Sequence, residues 1–133
     1  MKTALSAGLL LALVALGACA RAPQDELLGT WVNPHVVHGE PAVLRVEFLP
    51  RSVMTINVLT AMAVAGWGGA TSATGTYEII EPGKLLFKAD IGSAVLEYTV
   101  GPKALQLSGQ GVTDVLGKPT RPQDLVRRAR QYS

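Results

Sequence analysis

The feature that most constrains the fold of this chain is a repeated alternation of apolar and polar residues in short runs. Leu44, Val46 and Phe48 alternate with Arg45 and Glu47, and Met54, Ile56 and Val58 alternate with Thr55 and Asn57. Leu85, Phe87, Ala89 and Ile91 then interleave with Lys88 and Asp90, Leu96, Tyr98 and Val100 with Glu97 and Thr99, and Leu105 and Leu107 with Gln106 and Ser108. A period of two is the period of a strand with one face buried. The runs are separated by turn-forming clusters: Pro50-Arg51-Ser52, Glu81-Pro82-Gly83-Lys84, Gly92-Ser93, Gly101-Pro102-Lys103 and Gly109-Gln110-Gly111. Strands recurring every roughly 8–12 residues with such punctuation predict a mainly β protein. The expected architecture is an antiparallel meander closed as a small barrel or sandwich, with Thr76–Ile80 as one strand and Val112–Leu116 as a last short one.

The two ends of the chain depart from this pattern. Met1-Lys2 is followed by an apolar run from Ala4 to Leu16 and by Leu16-Gly17-Ala18-Cys19, which contains the single cysteine. A basic start, a short apolar stretch and small residues before a cut site read as a secretory signal. The run is shorter than the roughly 20 residues that a spanning helix needs. With the cysteine at the +1 position, the segment resembles the lipobox of bacterial lipoproteins. That resemblance implies a signal peptide over 1–18, acylation of Cys19 and a lipidated tether over 19–26. In such lipoproteins an Asp after the cysteine often marks retention at the inner membrane. Ala20 stands here, so the expected address is the outer membrane, with the domain facing the periplasm. With Cys19 taken by lipid, intrachain disulfides and thiolate chemistry are excluded, and stability must come from an apolar core over 27–117.

Charge is unevenly distributed. From Cys19 to Gly117, nine acids face six bases, whereas the tail 118–133 holds Lys118, Arg121, Arg127, Arg128 and Arg130 against Asp124 alone. The tail is the expected C-terminal helix. Pro122 suits a first turn, Asp124 the positive end and the arginines the negative end. Leu125, Ala129 and Tyr132 form its apolar stripe, which either docks on the barrel wall or leaves a basic face for an anionic surface. An exported protein does not meet nucleic acid.

Leu28-Gly29-Thr30-Trp31 opening the first strand, the second Gly75-Thr76-Tyr77 and the run Leu96-Glu97-Tyr98-Thr99-Val100 resemble small lipocalin-like domains of bacterial lipoproteins over roughly Leu27–Leu116. The resemblance implies a barrel with Trp31 as a structural residue at its closed end, beneath an arginine supplied by Arg121 or Arg128. It also implies binding rather than catalysis.

Motifs for chemistry are sparse. His35, His38 and Glu40 are weak candidate metal ligands. Strand geometry sends the two histidines to opposite faces, and neither helical His spacing nor a His-Glu-X-X-His pattern is present. No Ser lies in a Gly-X-Ser-X-Gly elbow. No cofactor, metal or catalytic residue is therefore expected. The unusual stretch is Leu59–Gly75, which lies in an uncharged span from Ser52 to Tyr77 and carries Met62, Val64 and Trp67 among Gly and Ala. Ala61–Ala65 extends a strand or forms a short helix, and Met62, Val64 and Trp67 are the expected contacts for ligand, lipid or partner. The functional expectation is a membrane-anchored, non-enzymatic lipoprotein whose barrel binds a hydrophobic small molecule or lipid. The alternative is an interaction module, an inhibitor or assembly accessory, that meets an envelope protein without an internal pocket.

Overall fold

The structure, a computed structural model, describes residues 23–128, so the signal segment, Cys19 and the last five residues lie outside the described residues. A short helix α1 (Pro23–Leu27) leads into strands β1 (Gly29–Val32), β2 (Ala42–Leu49) and β3 (Val53–Leu59). Helix α2 (Ala61–Val64) precedes β4 (Thr71–Glu81), β5 (Lys84–Ala89), β6 (Gly92–Val100) and β7 (Ala104–Ser108). Helix α3 (Gln110–Leu116) and strand β8 (Gln123–Arg127) complete the order. Each strand pairs antiparallel with its sequence neighbour, and β8 pairs with β1 to close an eight-stranded barrel. Closure leaves no open sheet edge, and up-and-down closure with eight strands is the arrangement that lipocalins use.

The alternating residues occupy the faces that their period assigns. Met54, Ile56, Leu85, Phe87, Leu96, Leu105 and Leu107 all point into one buried cluster. On the outer side of β3 and β4 the uncharged residues pair with one another: Thr55 Oγ1 lies 3.0 Å from Thr74 Oγ1, and the Ser72 hydroxyl donates to Asn57 Oδ1 at 2.8 Å. In β2 a bulge between Val43 and Arg45 shifts the register. Val43 therefore joins Val46 and Phe48 in the core, and Leu44 is only half-buried. The Val43 N–H at this bulge donates to Oε1 of the buried Gln123, at 2.9 Å.

Two expectations for the C-terminal third are corrected. Val112–Leu116 is helical: Val112, Val115 and Leu116 fall at i, i+3 and i+4 and turn one face into the barrel. Gly117, left-handed at φ 89°, ends that helix with its N–H on Thr113 O. The short helix near the C-terminus is thus present, but ahead of the tail. Within the tail, residues 123–127 form β8 and not a helix. Gln123 and Leu125 point inward, and the strand fills the gap between β7 and β1 that would otherwise leave two unpaired edges. Ala129 and Tyr132, the rest of the expected stripe, lie outside the described residues.

Candidate functional site

Seven connections and the ends of the described chain define the two ends of the barrel. At one end lie α1, the 3-10 turn Pro50–Ser52, the β4–β5 and β6–β7 turns and the end of β8. This end is packed shut. Trp31 and Leu27 have no exposed surface, and Phe48 meets Tyr77 edge-on with ring centroids 5.1 Å apart. The last turn of α1 leaves carbonyls without helical partners, as helix ends do. Trp31 Nε1 donates to Leu27 O at 2.8 Å. Arg127 Nη1 and Nη2 donate to Leu28 O and Glu26 O at 2.6 and 2.8 Å, and Nε donates to Pro102 O at 2.9 Å. The guanidinium carbon stands 4.2 Å from the centroid of the Trp31 ring, within cation–π range. The arginine over Trp31 is therefore Arg127, delivered by the register Trp31↔Arg127, and neither Arg121 nor Arg128. Burial, reinforced by Asp25, raises the pKa of Tyr77 above the ordinary 10.0. Burial likewise raises that of Tyr98, opposed by a Gly83 backbone hydrogen bond and supported by Glu26.

The opposite end carries the long connections 33–41 and 60–70, the β5–β6 turn and α3. Here the interior is incompletely filled. A pocket of about 250 Å³ has walls of Ile56, Val58, Ala73, Phe87, Ala89 and Ala94, with Val115 of α3 across it. Its rim is formed by Thr60, Thr71, Ile91, Ser93 and Asp114. The space exists because three inward positions on adjoining strands hold alanine. Ala73 pairs with Ile56, Ala94 with Phe87, and Ala89 with Gly75. Asp114 is the ionisable group in this lining, and it accepts from Gln110 Nε2 at 2.9 Å. Helix α3 lies close against β6: a side chain at Gly111 would collide with the backbone carbonyl of Val95. The helix is thus a fixed wall of the pocket.

The residues singled out in the uncharged stretch do not line this pocket. Thr60 caps α2 by accepting from the Ala63 N–H, and the Trp67 N–H closes the following turn on Met62 O at 2.9 Å. Met62 and Trp67 project outward, 66% and 75% exposed, and Val64 is half-buried. That loop reaches the pocket only through its stems, Thr60 and Thr71. The alanines that create the space were missed, although small residues at inward positions of the alternation were a readable signal. His35, His38 and Glu40 are exposed, and the His35 N–H donates to Asn33 Oδ1. Among the described residues, no three His, Cys, Asp or Glu side chains cluster in a way that could hold a metal ion. A wider recess of about 1000 Å³ lies outside the closed end, between Leu28–Thr30, Phe48–Pro50, Lys103 and Val126–Arg128.

No family model matches the chain, and no curated protein does. Among solved structures the chain is similar to a lipocalin-like protein from Bacteroides uniformis, with a TM-score of 0.45 and 11% identity. That similarity covers 78% of this chain and 99% of the other.

Proposed function

We propose that this protein is a lipid-anchored protein of the cell envelope that carries one small apolar molecule in the open end of its barrel and performs no catalysis. The observation that carries this reading is the apolar pocket walled by Ile56, Val58, Phe87 and the three alanines Ala73, Ala89 and Ala94. Its volume lies between that of an engineered cavity of about 150 Å³ that takes benzene and the roughly 300–1,000 Å³ of drug-sized sites. The cargo is therefore a single ring or one short alkyl chain rather than a whole diacyl lipid. Thr60, Thr71, Ser93 and Asp114 at the rim favour a neutral or cationic polar end over an anionic one. Cys19 supplies the anchor and Ala20 the outer-membrane address, with the barrel in the periplasm.

Native mass spectrometry of the protein extracted from the envelope tests the cargo, and binding of toluene, a neutral single-ring probe, followed by ligand-observed NMR tests the pocket. The expected result is a small non-covalent adduct, with probe binding abolished by Ala89→Leu. A protein that carries no adduct and binds no probe overturns the ligand reading. A stoichiometric protein partner in its place favours the interaction module.

A further inference from the structure

The most exposed large apolar residues lie at the open end, whereas Leu49, Ile80 and Val126, toward the closed end, are less exposed. Ile91, Trp67 and Met62, at 80%, 75% and 66% exposure, are the three most exposed large apolar side chains among the described residues. They sit on the loop 60–70 and the β5–β6 turn, and the stems of these same two connections form the pocket rim. Val36 and Val37, also exposed, stand on the connection 33–41 at that end. These apolar tips are spread over three connections, and between Ser52 and Tyr77 the sequence holds no charge at all.

We infer that these open-end tips dock reversibly on a lipid surface other than the one that holds the N-terminus. Three observations select a lipid surface. The first is chemical: Trp67 is an amphipathic ring of the kind enriched at membrane–water interfaces, and its loop brings no charge to be desolvated. The second is the form of the surface. Protein interfaces place a closely packed, desolvated apolar centre inside a polar rim. Here apolar side chains stand in ones and twos on three connections around a pocket mouth, with no continuous packed centre, a form that a fluid surface accommodates. The third is the path of the chain. Residues 1–22 precede α1, which packs at the closed end. The three residues between Cys19 and Pro23 make four Cα–Cα steps, which reach at most about 14 Å. The nine residues of β6 span about 30 Å at most, so with the anchor at Cys19 proposed above the tips stand up to about 45 Å from it, at the barrel end opposite α1. Docking there sets the pocket mouth against acyl chains, although the docking itself does not require the pocket to be filled.

The test uses the full chain reconstituted in nanodiscs and mixed with protein-free phosphatidylcholine vesicles. Wild-type nanodiscs are expected to float with the vesicles, and their tryptophan emission to shift to the blue, because Trp31 is already buried and Trp67 is the ring that changes environment. The double variant Met62→Ser/Trp67→Ser, at two tips that do not line the pocket, is expected to lose co-flotation at least five-fold, down to the level of empty nanodiscs. Its near-ultraviolet circular dichroism from Trp31 should stay intact, which reports a folded barrel. Ala89→Leu, which fills the pocket and leaves the tips in place, should float like wild type. A failed ligand reading is thereby distinguished from failed docking. Absence of co-flotation by wild type overturns the inference, as does flotation unchanged in the double variant. Nanodiscs that pair with each other and ignore the vesicles overturn it in favour of a second copy of this chain.

Discussion

The closed and open ends of this barrel are cut from the same strands, yet one is filled and the other is not. Along β4, Tyr77 lies toward the closed end and Ala73 toward the open one; along β5 the sequence runs Leu85, Phe87, Ala89, and along β6 in reverse Leu96, Ala94. Side-chain volume thus falls along the barrel axis on three adjacent strands. The polar groups follow the same division. At the closed end, Trp31 and Arg127 satisfy the carbonyls of Glu26, Leu27 and Leu28, so the helix end is stitched to the wall. At the open end, hydroxyls and one carboxylate stand at a rim with room beside them. A stable base and an unfilled mouth can therefore be altered separately.

The largest expected effect of breaking this contrast is at Trp31. Trp31→Ala leaves a cavity and an unpaired Leu27 carbonyl and removes the surface beneath Arg127, so it should cost about 3–5 kcal/mol in urea unfolding. Arg127→Ala loses three hydrogen bonds to carbonyls and the ring contact, with an expected cost of about 2–3 kcal/mol. Arg127→Lys should recover only part of this, because an ammonium lacks the planar fork that reaches three carbonyls. At the open end, Gly111→Ala drives a methyl group into the Val95 carbonyl and lifts α3 from β6, at about 1–3 kcal/mol, and it should also weaken probe binding.

Alkaline titration sharpens the contrast further. The closed-end tyrosines have raised pKa values, so at high pH the folded state holds protons that the unfolded state has lost. The stability tied to this is present below pH 10.0, the ordinary tyrosine value, and falls as pH rises past it. Urea midpoints measured across that range should decline, by at most about 1.4 kcal/mol per pH unit for each tyrosine, and Tyr77→Phe should flatten the decline. Ala89→Leu should lower probe affinity tenfold or more with little change in stability, the reverse of the closed-end variants. Smallest of all, Trp67→Ala should move stability by no more than about 0.5 kcal/mol, because the ring is exposed.

Strands β3 and β5 to β7 were legible because each carries its own period of two, and burial of one face enforces it; of β4 only Thr76–Ile80 was legible, because its first half, Thr71–Gly75, is built of small uncharged residues and read as part of the loop stretch. Trp31 was legible as a structural residue from its place in Gly29-Thr30-Trp31. The pocket was less so. Exposed, uncharged Met62 and Trp67 drew attention to the loop between β3 and β4. The space itself depends on three alanines that are far apart in sequence and become neighbours only when β4, β5 and β6 pair.

By itself, the sequence determined the class of fold, the inward and outward faces of most strands, the absence of a disulfide within the chain and the uncharged character of the open-end loop. Those properties are local: they follow from residue type, spacing and count. Only the tertiary structure decided that residues 123–127 extend, that Val112–Leu116 coils and that Arg127 is the arginine over Trp31. In each case the local preference is weak. Pro122 and Asp124 suit a helix start and the valines suit a strand, but a sheet with two unpaired edges and an uncovered barrel end outweighs both. Closing the hydrogen-bonded ring and covering the apolar end involve many groups at once, and a five-residue preference cannot hold against them.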